Sequence, residues 1–333
     1  MRIGLFLHRL APPRPIGPSF VRTIPSTVSC RAGKIPLVFY TAEDYEQRRR
    51  GGHKFPVVVN FHGGGFTLGD ATDDARWASE VVHEVDAVVV SVDYRLAPKH
   101  PFPTAVEDGV DAILFLAEHA EELGLDGQRI AVSGFSAGGN LSFAVPMRLQ
   151  EELRRRQSAG EGGRGAESLR KRKKDGDKPL LSRRPDCRIV AIVSWYPITD
   201  YTISTSERRA TCTRPDKVMP RFFVDLFDAA YLYPPDCDTL NPFLSPGVAS
   251  DEVLKGLPED IILFTCEWDS LRAEAETFGR RLQRDLGKNV MHTMVREVAH
   301  AWDRAPNPFY VHETVGQHYR EACAEMRRIF EEC

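Results

Sequence analysis

The chain has 333 residues, 42% apolar and 27% charged, with a formal net charge of -3. That length buries a substantial core, as one large α/β domain with an accessory element or as two smaller domains. The charge balance argues against a nucleic-acid binder, which needs a basic excess to neutralise phosphates. Seven scattered cysteines (30, 187, 212, 237, 266, 323 and 333) point to neither a disulfide framework nor a zinc site, and a reducing cytoplasm is the default compartment.

In chain order, the apolar run at 3–7 is too short for a signal-peptide core or a membrane span. Two extended stretches, 20–28 and 35–40, come next and suit an antiparallel edge. Apolar, β-branched runs at 56–61, 87–92, 129–134, 189–194, 260–265 and 290–295 then alternate with helical patterns at 74–84, 103–122, 136–156, 270–285 and 310–331. That alternation predicts an α/β fold, a mostly parallel eight-stranded sheet flanked by helices, with Pro146 kinking the third helix because it lacks a backbone donor. Two segments interrupt it. Residues 154–187 are rich in Gly, Lys and Arg and read as a mobile surface insertion. Residues 197–246 carry Phe222, Phe223, Phe227, Tyr231 and Tyr233 at helical spacing, which suits a small helical cap or ordinary core packing equally.

The chemistry-bearing residues lie where strands end. "VVVNFHGGGF" empties a strand into His62, Gly63, Gly64 and Gly65, where glycines let backbone N–H groups point at a developing oxyanion. His62 itself reads as a loop-shaping residue. In "DYRLAP", Asp93 and Arg95 read as buried, hydrogen-bonded supports for that glycine loop, since unpaired charges there would be costly. "GFSAGG" at 134–139 sits between a strand and a helix, as a nucleophile elbow requires. Alone it is weak, because Ser and Gly are common turn residues. Ser136 needs a base and the base an orienting carboxylate, in chain order Ser, Asp or Glu, His. His300 follows the last strand on a loop that can reach the elbow, whereas His292 lies within the strand and His312 and His318 on the terminal helix. Asp269 just past the penultimate strand is the carboxylate candidate; its position also suits a helix cap, and Glu267 is the nearest rival.

Four matches, "HGGGF" at 62–66, "DYRLAPKHPFPTAVED" at 93–108, "GFSAGGNL" at 134–141 and "EWDSLRAEA" at 267–275 followed by His300, make the chain resemble the hormone-sensitive-lipase-like carboxylesterases of the α/β-hydrolase fold. The resemblance implies a single hydrolase domain over 1–333, a Ser136, Asp269, His300 triad and an oxyanion hole from the amides of Gly64, Gly65 and Ala137. It implies a small-molecule ester or thioester substrate, no metal or organic cofactor, and a homodimer through the last strand and helix as an option. Amide deacetylation and thioester or lactone hydrolysis use the same triad. A non-catalytic hormone receptor on this fold would be expected to lose the nucleophile or base that this chain retains. The chain departs from the family pattern at Phe135, where many members carry Asp or Thr, and at Ala301 and Trp302, where they carry Gly-Phe. With only about 20 residues before the first extended stretch, an open or reduced cap is expected. By position along the chain, Phe66, Phe135, Trp195, Tyr196, Phe222, Phe223 and Trp302 are candidate pocket residues, with Phe135 the first place to look for acyl preference.

Overall fold

Each β-branched run forms a strand, and the strands assemble in the order β1-β2-β4-β3-β5-β6-β7-β8. They are β1 (Phe20–Pro25), β2 (Lys34–Tyr40), β3 (Phe55–Phe61), β4 (Val88–Val92), β5 (Leu125–Phe135), β6 (Ile189–Trp195), β7 (Asp260–Trp268) and β8 (Asn289–Ala299). β1 pairs antiparallel with β2 and β2 with β4, and the remaining neighbours are parallel. The computed structural model describes residue 8 and residues 10–164, 187–304 and 307–333, with only the helical backbone described over 159–164.

The helices are α1 (Tyr45–Arg50), α2 (Ala75–Val85), α3 (Thr104–Glu118), α4 (Ala137–Arg164), α5 (Thr205–Ala210), α6 (Arg221–Tyr231), α7 (Asp251–Lys255), α8 (Arg272–Arg284) and α9 (Glu313–Glu331). Side chains alternate across the pleat, so Val57, Val59 and Phe61 of β3 join a core with α3 and α4. Val58 points the other way, into a core closed by Trp77 and Val81 of α2 and by Tyr319 and Met326 of α9. Among the described residues, no helix is long and apolar enough to cross a membrane.

Three boundaries differ from the sequence expectation. α4 continues through Pro146 and eight residues beyond 156, so it takes up the start of the basic segment; residues 165–186 of that segment lie outside the described residues. β7 and β8 outlast their apolar runs because their pairing resumes after a register shift, with Trp268 opposite Ala299. That last rung sets the next two residues, Asp269 and His300, side by side. The chain before β1 runs back over α2 as well: Arg76 donates to the carbonyls of His8 and Ala11, 3.0 Å each, and the Ile16 N–H to Ser79 Oγ at 2.8 Å.

Candidate active site

Ser136 occupies the single residue between β5 and α4 and holds a left-handed φ of +56°. A non-glycine residue pays strain there, which persists only where its surroundings enforce it. The enforcement comes from two glycines. A Cβ on Gly134 would strike the Gly138 carbonyl, and one on Gly138 the carbonyl of Phe61, so chain crosses chain with no room for a side chain. The Ser136 N–H donates to the Trp195 carbonyl at 2.8 Å, and its own carbonyl accepts from Asn140 at 3.0 Å, pinning the turn to β6 and α4.

The serine hydroxyl lies 2.8 Å from His300 Nε2, and His300 Nδ1 lies 2.6 Å from Asp269 Oδ2. With its proton on Nδ1, the imidazole donates to Asp269 and accepts from Ser136. The other Asp269 oxygen accepts from the Leu271 N–H at 3.0 Å, so the carboxylate is held at both ends. Burial opposes a charge on His300, but the Asp269 carboxylate outweighs it with help from Asp303, and the His300 pKa lies above its ordinary value. The rivals are engaged elsewhere: Glu267 accepts from the Glu297 N–H, His292 bonds Thr265, and His318 bonds Glu321.

The glycine loop follows β3. Gly64 and Gly65 have φ of +122° and +60°, and a Cβ on Gly64 would strike the Leu68 carbonyl. The backbone N–H groups of Gly64, Gly65 and Ala137 bond no acceptor among the described residues, and all three residues border the same cavity as Ser136 and His300. His62 is buried and stacked on Tyr94 at 4.2 Å, with its Nδ1 against the Gly63 carbonyl and no hydrogen bond to the triad among the described residues. Support for the loop comes from the residues around the expected charges. Tyr94 OH donates to the His62 carbonyl at 2.8 Å and the Ala97 N–H to the Phe66 carbonyl at 2.9 Å. Asp93 accepts from the Ala71 N–H, and Arg95 is paired with Asp108 at 2.6 Å and reaches Ser26. Arg95 thus ties α3 to the β1–β2 loop and does not touch the glycine loop.

A cavity of about 480 Å³ opens over Ser136. Phe66, Phe135 and Tyr196 border it, whereas Trp195, Phe222, Phe223 and Trp302 do not. Trp195 is fully buried, stacked on Phe264 at 4.1 Å. Phe222 and Phe223 are 71% and 47% exposed on the outer side of α6, and Trp302 packs toward His318. The Phe135 carbonyl faces Gly63, but its ring has no exposed surface: it stacks on Trp195 at 5.5 Å and meets the edge of Trp77 at 6.4 Å. The residue that departs most visibly from the family pattern therefore packs beneath the elbow. Phe135→Leu is expected to cost at least about 2 kcal/mol of stability, since the ring pairs with Trp77, Trp195, Tyr196 and Tyr319 at roughly 0.5–1.5 kcal/mol each. Denaturant melts read that loss, while relative rates on acetyl to octanoyl esters stay as in the parent; a changed chain-length order would contradict it.

Sequence reasoning missed most of the accessible wall. Val224, Phe227 and Asp228 of α6 share one helical face toward the cavity, joined by Met219, Trp268, Leu271, Tyr201 and Arg208. Phe227 lies so close to Gly65 that a Cβ there would meet its ring at 2.6 Å. Beneath His300, Asp303 accepts from Tyr196 OH at 2.5 Å and Tyr319 OH at 2.6 Å. Arg304 pairs with Asp74 and lies 4.5 Å over the Phe135 ring. The acidic-basic pair at 303–304, so soon after His300, was the available signal. The described residues hold no cluster of metal-ligating side chains.

Residues 58–304 match a family model described as alpha/beta hydrolase fold. The carboxylic ester hydrolase LipN of Mycobacterium tuberculosis is 35% identical over 255 residues, which cover 76% of this chain and 57% of that protein. The carboxylesterase NlhH of the same species is 35% identical over 232 residues, 68% of this chain and 60% of that one. The chain thus spans less than two thirds of the length of either relative. A solved esterase from Pyrobaculum calidifontis superposes with a TM-score of 0.73 at 27% identity, covering 98% of this chain and 90% of that one.

Proposed function

The chain belongs to the alpha/beta hydrolase fold family, and from that premise we propose that it is a serine carboxylesterase acting on small to medium acyl esters. The observation that carries this reading is the unbroken hydrogen-bond chain from Asp269 through His300 to Ser136 at the wall of a largely apolar cavity.

In this mechanism His300 takes the proton from Ser136 as Oγ attacks the ester carbonyl carbon. Asp269 holds the imidazole in the productive tautomer and stabilises the imidazolium. The N–H groups of Gly64, Gly65 and Ala137 donate to the oxyanion, a contribution of about 3 kcal/mol for a single such donor. His300 then gives its proton to the departing alcohol oxygen, leaving an acyl-enzyme. Water, deprotonated by the same histidine, repeats the attack and releases the acid. The segment 197–246 serves as the cap, since α5 and α6 supply Thr205, Arg208, Phe227 and Asp228 to the cavity.

A panel of p-nitrophenyl esters, acyl thioesters and anilides with matched acyl groups tests the reaction class. Esters are expected to turn over fastest, with acetyl to hexanoyl groups preferred to long chains. Turnover of anilides alone, or of none of the three, would overturn the reading.

A further inference from the structure

The cavity wall carries several charged side chains, and among the described residues all but one have a hydrogen-bond or ion-pair partner. Asp269 is held by His300 and Leu271, Arg304 pairs with Asp74, and Arg209 donates to the Met219 carbonyl. Arg208 is 95% buried and pairs with Glu274 at 2.6 Å, while Glu274 also accepts from the N–H groups of Thr199 and Asp200. Asp73 accepts from the Asp70 N–H. Asp228 is the exception: it borders the cavity, yet its carboxylate has no hydrogen bond or ion pair within 4 Å among the described residues. Burial raises its carboxyl pKa; Arg208 pulls it back from longer range, and Asp225, one turn earlier on α6, pushes it up.

A half-buried carboxylate with no partner is costly unless something bound supplies the opposite charge. Its surroundings fit such a guest. The Phe227 ring borders the same space, whereas the Tyr201 ring already has the Arg208 guanidinium 5.5 Å over its face; an aromatic face beside a carboxylate attracts a cation by both charge and ring quadrupole. Arg208 is turned away from Asp228, with its guanidinium bonded to Glu274 at 2.6 Å and to the Asp200 carbonyl.

We propose that Asp228 is a specificity-determining anion that receives a positively charged substituent, an alkylammonium group, on the ester substrate. This rests on the esterase reading for the word substrate, but the site itself is a binding site that can be measured without turnover.

The binding test uses Ser136→Ala protein, titrated calorimetrically with hexyltrimethylammonium and separately with 1-hexanol. Adding Asp228→Asn or Asp228→Ser is expected to lower the ratio of ammonium to hexanol affinity about tenfold, in line with loss of one charge partner. The turnover test uses Ser136-containing protein on p-nitrophenyl 6-aminohexanoate and heptanoate, whose kcat/KM ratio is expected to fall similarly in the same variants. An affinity ratio that stays unchanged in both variants overturns the proposal. If that ratio falls while neither ester is hydrolysed, the cation site stands and the esterase reading fails.

Discussion

Ser136→Ala protein is expected to fold as the parent does and to lose about 10⁴–10⁶-fold in kcat on p-nitrophenyl butyrate. Two features set the size of the loss. Removing Oγ deletes the bond-forming atom, so the acyl-enzyme route is closed and only direct attack by water remains. The oxyanion donors and the cavity survive, and they keep a residual rate above that of free solution. The fold should be indifferent, because the turn is fixed by Gly134, Gly138 and the Ser136 N–H to the Trp195 carbonyl, none of which needs the hydroxyl. Progress curves at matched, circular-dichroism-checked concentrations read the result; a loss below about tenfold would mean that another nucleophile operates.

Asp269→Asn is expected to cost about 10⁴-fold in kcat. An asparagine amide offers an N–H toward His300 Nδ1, which moves the imidazole proton to Nε2 and presents a donor where Ser136 needs an acceptor. The pH profile carries a second signature. Only neutral His300 accepts the serine proton, so kcat/KM of the parent rises with pH through the His300 pKa and levels off above it. Asp269 holds that pKa above the ordinary histidine value, so taking its charge away moves the acid limb of the residual activity to lower pH. An acid limb that stays in place would show that Asp269 does not govern His300.

The juxtaposition of these residues is legible in the sequence because each follows an apolar strand. Parallel strands of one sheet deliver their C-terminal loops to the same edge, so Ser136 after β5, Asp269 after β7 and His300 after β8 converge there. What sets their separation was not legible: the register shift that brings Trp268 opposite Ala299 shows no mark in the local pattern. The pocket was read least well, for two physical reasons. Nearness in sequence to Ser136 says nothing about which face of the sheet a side chain takes. Ala131, Ser133 and Phe135 alternate with Ile130 and Val132, and strict period two carries Phe135 onto the α2 and α9 face, where Trp77 already bonds Ser133 at 3.0 Å. That signal was present in the strand and outweighs proximity. The cap aromatics raised the other difficulty. Phe222, Phe223 and Phe227 are alike in type, and only the packing of α6 against Gly65 and Phe66, where Tyr231 stacks on Phe66 at 3.7 Å, selects Phe227 as the inward one.

Charge was the other part hidden from the sequence. Asp303 and Arg304 come after His300, in the wrong order for a triad, yet they sit in the buried layer beneath it. Asp303 takes two tyrosine hydroxyls, one from Tyr196, whose ring meets the His300 ring at 4.8 Å. Such a layer fixes the imidazole from below as Asp269 fixes it from the side. Its members come from the residue after β6, the residue before α2, α9 and the loop after β8, and chain order does not predict that meeting.

In the proposed reaction the Ser136 hydroxyl, activated by His300, is the nucleophile. Incubating the protein with a fluorophosphonate, digesting with trypsin and sequencing the modified peptide by mass spectrometry tests it most directly. One adduct, displacing fluoride, is expected on Ser136 within the peptide 130–148, which also holds Ser133 and Ser142 as internal controls. An adduct on another residue, or none under conditions where the ester is hydrolysed, would contradict it.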